Sequence, residues 1–386
     1  MHSDFLIVGG GIAGVSAAYE LARHGSVIVL ERESSAGYHT TGRSAAISSL
    51  NFVSPVVQAL TELSRDFLLH APACFGELPL TSLRQSLWVT QHHQLDAHET
   101  MRREALERKY NVSELSAEDV VARCPVLRRE RVAKGLLEED TLDLDVHGML
   151  QGYIRGLRER EGRLILNAEV QTITRAAGIW TVRTQEGEYQ SPMLVNAAGA
   201  WGDVVAEQAG VAPLKLRPLR RTVFTFAAPQ GVAPNAWPFV YDTAEEFYFK
   251  LENGIILAST FDEVESAPVD ARPEEYDIAL GIDRIQNATT LDIRTLKNRW
   301  AGLRTFAPDR ELVVGEDGDR QGFFWVSGHG GIGLMTAPAV AEALASLVTS
   351  GELSQEMINR GVTRELLAPQ RFESETHGAV QAVVSM

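Results

Sequence analysis

Residues 7–14 read IVGGGIAG, and this glycine spacing constrains the fold more than any other feature of the chain. Taken alone, Gly9, Gly11 and Gly14 would suit an ordinary turn. Their surroundings sharpen the reading. The preceding DFLIV is an apolar run of the kind that makes a buried parallel strand. After it, Ile12, Val15, Ala18, Tyr19 and Ala22 recur at helical spacing until Gly25. SVIVLERE then reads as a second buried strand ending in Glu31. The pattern predicts a βαβ unit that binds a dinucleotide. Gly9 permits the tight turn, Gly11 admits a pyrophosphate to the backbone, and Gly14 lets the helix lie close to the strand. Glu31 is placed to accept hydrogen bonds from a ribose and would repel a 2′-phosphate. FAD and NAD both satisfy this pattern.

The chain has 386 residues, enough for one large or two interleaved domains. Its net charge of −15 argues against nucleic acid or an anionic membrane as partner. Two cysteines, Cys74 and Cys124, suggest neither a disulfide framework nor a metal site. No signal-like segment precedes the first strand, and no apolar run approaches the length that spans a bilayer, so the expectation is a cytoplasmic protein with no integral membrane segment.

Helical patterns fall at 54–70, 94–124, 145–160, 273–288 and 332–349. Residues 216–260 alternate strand and turn as a meander, and βα character returns at 145–215 and after 300. The predicted architecture is α/β. A Rossmann-like dinucleotide domain is assembled from 1–53, 145–215 and 300–386. A substrate domain built on an antiparallel sheet, 54–144 and 216–299, is interleaved with it.

Three further stretches narrow the cofactor. MLVNAAGAWGD (193–203) is a buried strand whose small terminal residues allow close backbone approach. In FFWVSGHGGIGLMTAPAVAEAL (323–344) a strand runs through a glycine loop into a helix, whose N-terminus suits a flavin that gains negative charge on reduction. TTGRSAA (40–46) offers hydroxyls and small residues to a ring system.

In this order and spacing, these pieces resemble the D-amino-acid oxidase and glycine oxidase superfamily of FAD enzymes over nearly the whole chain. GYHTTGRSAA, MLVNAAGAW, FYFK, WAGLRTF and FFWV…GGIG look closest to bacterial D-arginine dehydrogenases. The resemblance implies noncovalent FAD, held at Gly9, Gly11, Ala13, Gly14, Glu31 and Arg32. The loop Thr40, Thr41, Gly42, Arg43, Ser44, Ala45, Ala46, Ile47 would pass the ring system, and Val170 the adenine side. Ala198 and Gly199 close the strand end, and Gly331, Ile332, Gly333, Leu334, Met335 and Thr336 would cap the pyrimidine end. Arg304, Tyr248 and Arg221 match the family's contacts to a substrate carboxylate, with Arg220 as the register alternative to Arg221. A forked, permanently charged guanidinium suits that task.

The sequence departs from those relatives in the side-chain pocket. Ser86 stands where they carry a glutamate for the substrate guanidinium, Ile47 and Phe52 replace a histidine and a tyrosine, and His329 and Ile332 replace a glutamine and a tyrosine. The resemblance therefore implies oxidation of a neutral or apolar D-amino acid to the imino acid and then the 2-oxo acid. Electrons pass from the flavin to an acceptor that is a quinone, a dye or oxygen. An N-alkyl-glycine oxidase or a 2-hydroxy-acid dehydrogenase would share the fold and the carboxylate contacts.

Overall fold

The computed structural model describes residues 1–233 and 236–372. The glycine spacing forms the expected unit: β1 (Phe5–Val8), α1 (Ile12–Leu21) and β2 (Val27–Leu30), with β1 and β2 parallel and buried throughout. Next come β3 (Ile47–Ser48), α2 (Pro55–Leu69), β4 (Thr81–Gln91), α3 (Leu95–Arg108), β5 (Val112–Ser116), α4 (Ala117–Arg123), β6 (Val132–Leu144) and α5 (Val146–Glu159). Then follow β7 (Arg163–Ile165), β8 (Thr172–Ala176), β9 (Ile179–Thr184), β10 (Gly187–Ser191), β11 (Met193–Asn196) and α6 (Gly202–Gln208). The meander is β12 (Arg217–Ala227), β13 (Phe239–Asp242), β14 (Tyr248–Glu252), β15 (Ile255–Ser259) and β16 (Val264–Glu265). After it lie α7 (Glu275–Ala288), β17 (Asn298–Phe306), β18 (Val313–Glu316), β19 (Phe323–Ser327) and α8 (Gly333–Ser350).

Two sheets organise these elements. The first has the order β18-β19-β11-β1-β2-β7 and is parallel except at β18. Its strands alternate faces: Phe5, Ile7, Val27 and Val29 pack under α1, α2 and α8, while Leu6, Val8, Ile28 and Leu30 meet Trp180 and Tyr189 of the β8–β10 meander. The second sheet has the order β16-β12-β15-β14-β13-β4-β6-β3, with β17 beside β12 and β5 beside β6. It is mixed, because β13 runs parallel to β4. Phe224, Phe249 and Ile256 fill one side against α4 and α7. The other side faces the first sheet. Strands of the two sheets are interleaved along the chain, as the α/β reading requires.

Some elements differ from expectation. β17 pairs with β12 along its whole length, so it carries the second sheet past residue 300. Residues 94–124 hold two helices with β5 between them, and β6 was not expected at all. Its Gly135 and acidic residues obscure the period, yet hydrogen bonds from β4 and β5 on either side fix it as a strand. Gly135 has a packing reason, since a Cβ there would lie 2.6 Å from Val120 of α4. α8 also corrects the reading of apolar runs. At 18 residues and mean hydropathy 1.2, it is long and apolar enough to cross a membrane, and it is the one such helix among the described residues. It is mostly buried against α1 and α2, where Ser64 accepts the Ala339 amide (3.1 Å) one residue after Pro338.

Candidate active site

A long channel runs between the two sheets. At one end the first glycine loop forms its floor by backbone geometry. Gly9 has φ +112°, and a Cβ there would sit 2.3 Å from the Ala197 carbonyl oxygen. Gly14 is tighter still, with a notional Cβ 1.9 Å from the Gly9 oxygen, so its role is to let α1 touch the loop. The N-terminus of α1 has no acidic residue in its first turn, and Thr41 Oγ1 accepts from the Ile12 N–H at 3.0 Å. Gly11 and Ala13 line the channel beside it. This is an open, positive helix end that fits a pyrophosphate.

Glu31 ends β2 in the channel wall. Its carboxylate accepts from the amides of Gly10 (2.7 Å) and Glu33 (2.9 Å). Burial pushes its pKa up, partly offset by those two bonds. Each oxygen retains capacity for a ribose hydroxyl. Arg32, Val170, Ala198 and Gly199 also line this end. Sequence reading missed its aromatic platform: the Arg32 guanidinium lies 5.0 Å from the Trp201 ring centre, and the His39 ring 4.6 Å from it. Trp201 sits within the quoted AAGAW, where only the small residues drew notice.

The loop 40–46 is stitched to β17. Thr40 donates to the Leu303 carbonyl (2.7 Å), and Arg43 donates to those of Ala301 (2.8 Å) and Ala271 (3.1 Å). Thr40, Thr41, Arg43, Ser44 and Ala45 line the channel. Gly42 and Ala46, expected at the cofactor, lie behind that lining. A Cβ on Gly42 would meet the Gly37 oxygen at 2.7 Å, and the Ala46 carbonyl accepts from Leu144.

At the far end, Gly331, Gly333 and Leu334 face the channel at the start of α8, which has neither a side-chain cap nor an acidic first turn. Ile332, Met335 and Thr336 are set one layer back. Met335 packs beside α5, and Thr336 is fully buried with its hydroxyl bonded to the Ile332 carbonyl. Both helix ends and the glycine floor fit a dinucleotide carrying a flavin.

Three donors converge beside this second helix end. Arg304 projects from β17 against Gly331, where a Cβ would stand 3.1 Å from its Cζ. Among the described residues its guanidinium has no hydrogen bond or ion pair. Arg221, from neighbouring β12, donates from Nε to the Asp262 carbonyl (2.7 Å) and from Nη2 to Glu263 (3.2 Å). Its Nη1 is buried with no acceptor. Burial and the nearby Arg304 cation lower its pKa to about 10, so it is still charged at neutral pH. Tyr248 of β14 completes the group. The register alternative is resolved, because Arg220 points the other way, to Glu274 and Asp277. Two cations with unused donors facing one space form a site for an anion. His329 lines the same end, where burial pushes its pKa down to about 4, so it contributes no further charge.

The expected side-chain pocket is rearranged. Ser86 does not reach the channel. It is buried in β4, bonded to Thr141 (3.2 Å) and paired in register with Glu138 of β6. Ile47 pairs with Asp143, and Phe52 packs against Trp88 (5.3 Å). Behind Tyr248, and outside the channel lining, lies an aromatic cluster: Trp88 stacks on Tyr241 (4.6 Å), Tyr241 on Phe239 (4.4 Å), and Phe261 meets Tyr248 edge-on (5.4 Å).

Comparison with known proteins agrees with this geometry. The chain is 26% identical to FAD-dependent oxidoreductase domain-containing protein 1 of Bos taurus, over 91% of this chain and 82% of that one. It is 24% identical to mitochondrial sarcosine dehydrogenase of Homo sapiens, over 94% of this chain but 41% of that one, so it spans less than half that protein's length. The fold superposes on L-proline dehydrogenase from P. horikoshii with TM-score 0.81 at 20% identity, covering 97% and 98% of the two chains. The model of the DAO family, described as FAD dependent oxidoreductase, matches residues 4–347. The chain belongs to that family and is an FAD-dependent oxidoreductase.

Proposed function

We propose that the protein oxidises a small amino acid with a neutral or apolar side chain, of D configuration, to its imino acid, which water converts to the 2-oxo acid. The observation that carries this reading is the pair Arg221 and Arg304. One has a buried nitrogen without an acceptor and the other a guanidinium without a partner, both facing the channel. A substrate carboxylate would answer both, with the Tyr248 hydroxyl as a further donor. FAD, when bound, supplies the two-electron acceptor. The residues position the substrate. Clamping the carboxylate between β12 and β17 would hold the α-carbon beside the Gly331–Gly333 loop, and the neutral His329 leaves the two arginines to set the charge there. The side chain would extend towards Tyr248 and the aromatic cluster packed behind it.

A second reading has specific support. Sarcosine dehydrogenase is among the similar proteins, and an N-alkyl glycine presents the same carboxylate. A panel of D-leucine, D-methionine, D-phenylalanine, their L forms and sarcosine, assayed with a dye acceptor with and without oxygen, separates the readings. Turnover of the D series supports the proposal. Turnover of only the L series or only sarcosine contradicts it.

A further inference from the structure

Behind the channel lining, next to the aromatic cluster that Tyr248 borders, lies a buried acid that takes no part in the site described above. Glu138 lies in the middle of β6 and is 1% exposed. Among the described residues it has no cationic partner. Three donors serve its carboxylate: the Trp88 indole N–H at 2.7 Å, the Asn51 side-chain amide at 2.8 Å and the Ser49 hydroxyl at 2.5 Å. Burial raises its pKa, and these three bonds oppose that rise. The donors come from two places. Trp88 belongs to β4 in the second sheet, whereas Ser49 and Asn51 lie in the segment leaving β3. That segment carries Phe52, held at φ +55°, a strained backbone setting for a bulky residue. Glu138 thus fixes both halves of the aromatic cluster: Trp88, which stacks on Tyr241, and the turn that brings Phe52 onto Trp88.

We infer that Glu138 is a positioning residue that sets substrate specificity, holding Trp88 and the 49–52 turn so that the aromatic cluster behind Tyr248 keeps that end of the channel shaped for a bulky apolar group. The inference rests on the carboxylate clamp proposed above, and it touches neither the carboxylate nor the flavin. Glutamine in its place can accept on one side only. Its amide would face donors on the other, which releases either the indole or the turn.

The test uses FAD-loaded protein and inert carboxylates, acetate and phenylacetate, titrated by the change in flavin absorbance, so it needs no turnover. In Glu138→Gln, phenylacetate affinity is expected to fall about tenfold while acetate stays within about threefold, the scale of one lost hydrogen bond to a charged group. Glu138→Asp keeps the carboxylate and should restore part of the phenylacetate affinity. An equal shift for both ligands, or none, would overturn the inference. If neither ligand binds the unmodified protein, the clamp itself is wrong, which is a separate outcome. Should Glu138→Gln fail to retain FAD, Asn51→Ala removes one donor of the turn to the Glu138 carboxylate without altering an aromatic ring and must show the same size-dependent loss.

Discussion

The two walls of the channel are built by different means. The wall formed by Gly9–Gly14 and Gly331–Gly333 works through backbone: absent side chains, open helix ends and a φ that glycine tolerates. The opposite wall works through side chains from β12, β14 and β17, from Arg221 to Thr305, with an aromatic cluster from β4 and β13 behind Tyr248. A ligand common to a whole family can be met by a short local pattern. A variable substrate is met by groups that only the sheet brings together.

That contrast fails if the backbone wall tolerates a side chain, so the largest effect is expected there. In Gly14→Ala the new methyl would meet the Gly9 carbonyl, a backbone atom that cannot swing away. Overpacking of this kind costs about 3 kcal/mol or more. The variant should purify without FAD and unfold at lower urea, read by flavin absorbance and a melting curve. Retention of full FAD would refute the packing role.

Next in size is Arg304→Ala, on the side-chain wall. Stranding a carboxylate opposite Arg221 alone costs about 3–5 kcal/mol, a hundredfold or more in kcat/KM. Bound FAD should remain, which separates this wall from the first. Normal turnover would show that the clamp lies elsewhere.

The smallest effect concerns pH. His329 titrates near 6.5 when exposed and near 4 in the fold, so the folded state disfavours its protonation. Between those values the unfolded chain binds the extra proton, and stability therefore falls as pH drops from about 6.5 towards 4. Urea unfolding across that range should show the slope, and His329→Gln should reduce it. An unchanged slope would mean that other groups set it.

The same division explains what could be read from the sequence. The first βαβ unit, the strand ending at Asn196 and the glycine loop before α8 were legible because each is a local steric demand within a dozen residues. Arg304 and Tyr248 were legible only through family resemblance, and the choice of Arg221 over Arg220 needed the direction of each side chain from β12. The pocket was read one layer too deep. The resemblance implied a place for Ser86 in the side-chain pocket, yet it is bonded to Thr141 away from the channel, and the acid opposite it is Glu138. Nothing in EEDTL marks that glutamate as buried, because its three donors lie 50, 87 and 89 residues away. β6 escaped notice for the same reason: its neighbours, not its own period, make it a strand.

The central claim is that a carboxylate clamp lies beside an aromatic cluster whose neighbouring acids, Glu138 and Asp143, are already held by other groups. Glu138 has its three donors, and Asp143 is held by Arg84 (2.6 Å) and Lys250 (3.3 Å). A buried guanidinium without a counter-charge is costly, whereas each apolar methylene buried there gains about 0.8 kcal/mol. The direct measurement is kcat/KM for D-leucine and for D-arginine on the unmodified protein with a dye acceptor. The account predicts that D-leucine is preferred by about tenfold or more. A clear preference for D-arginine would contradict it.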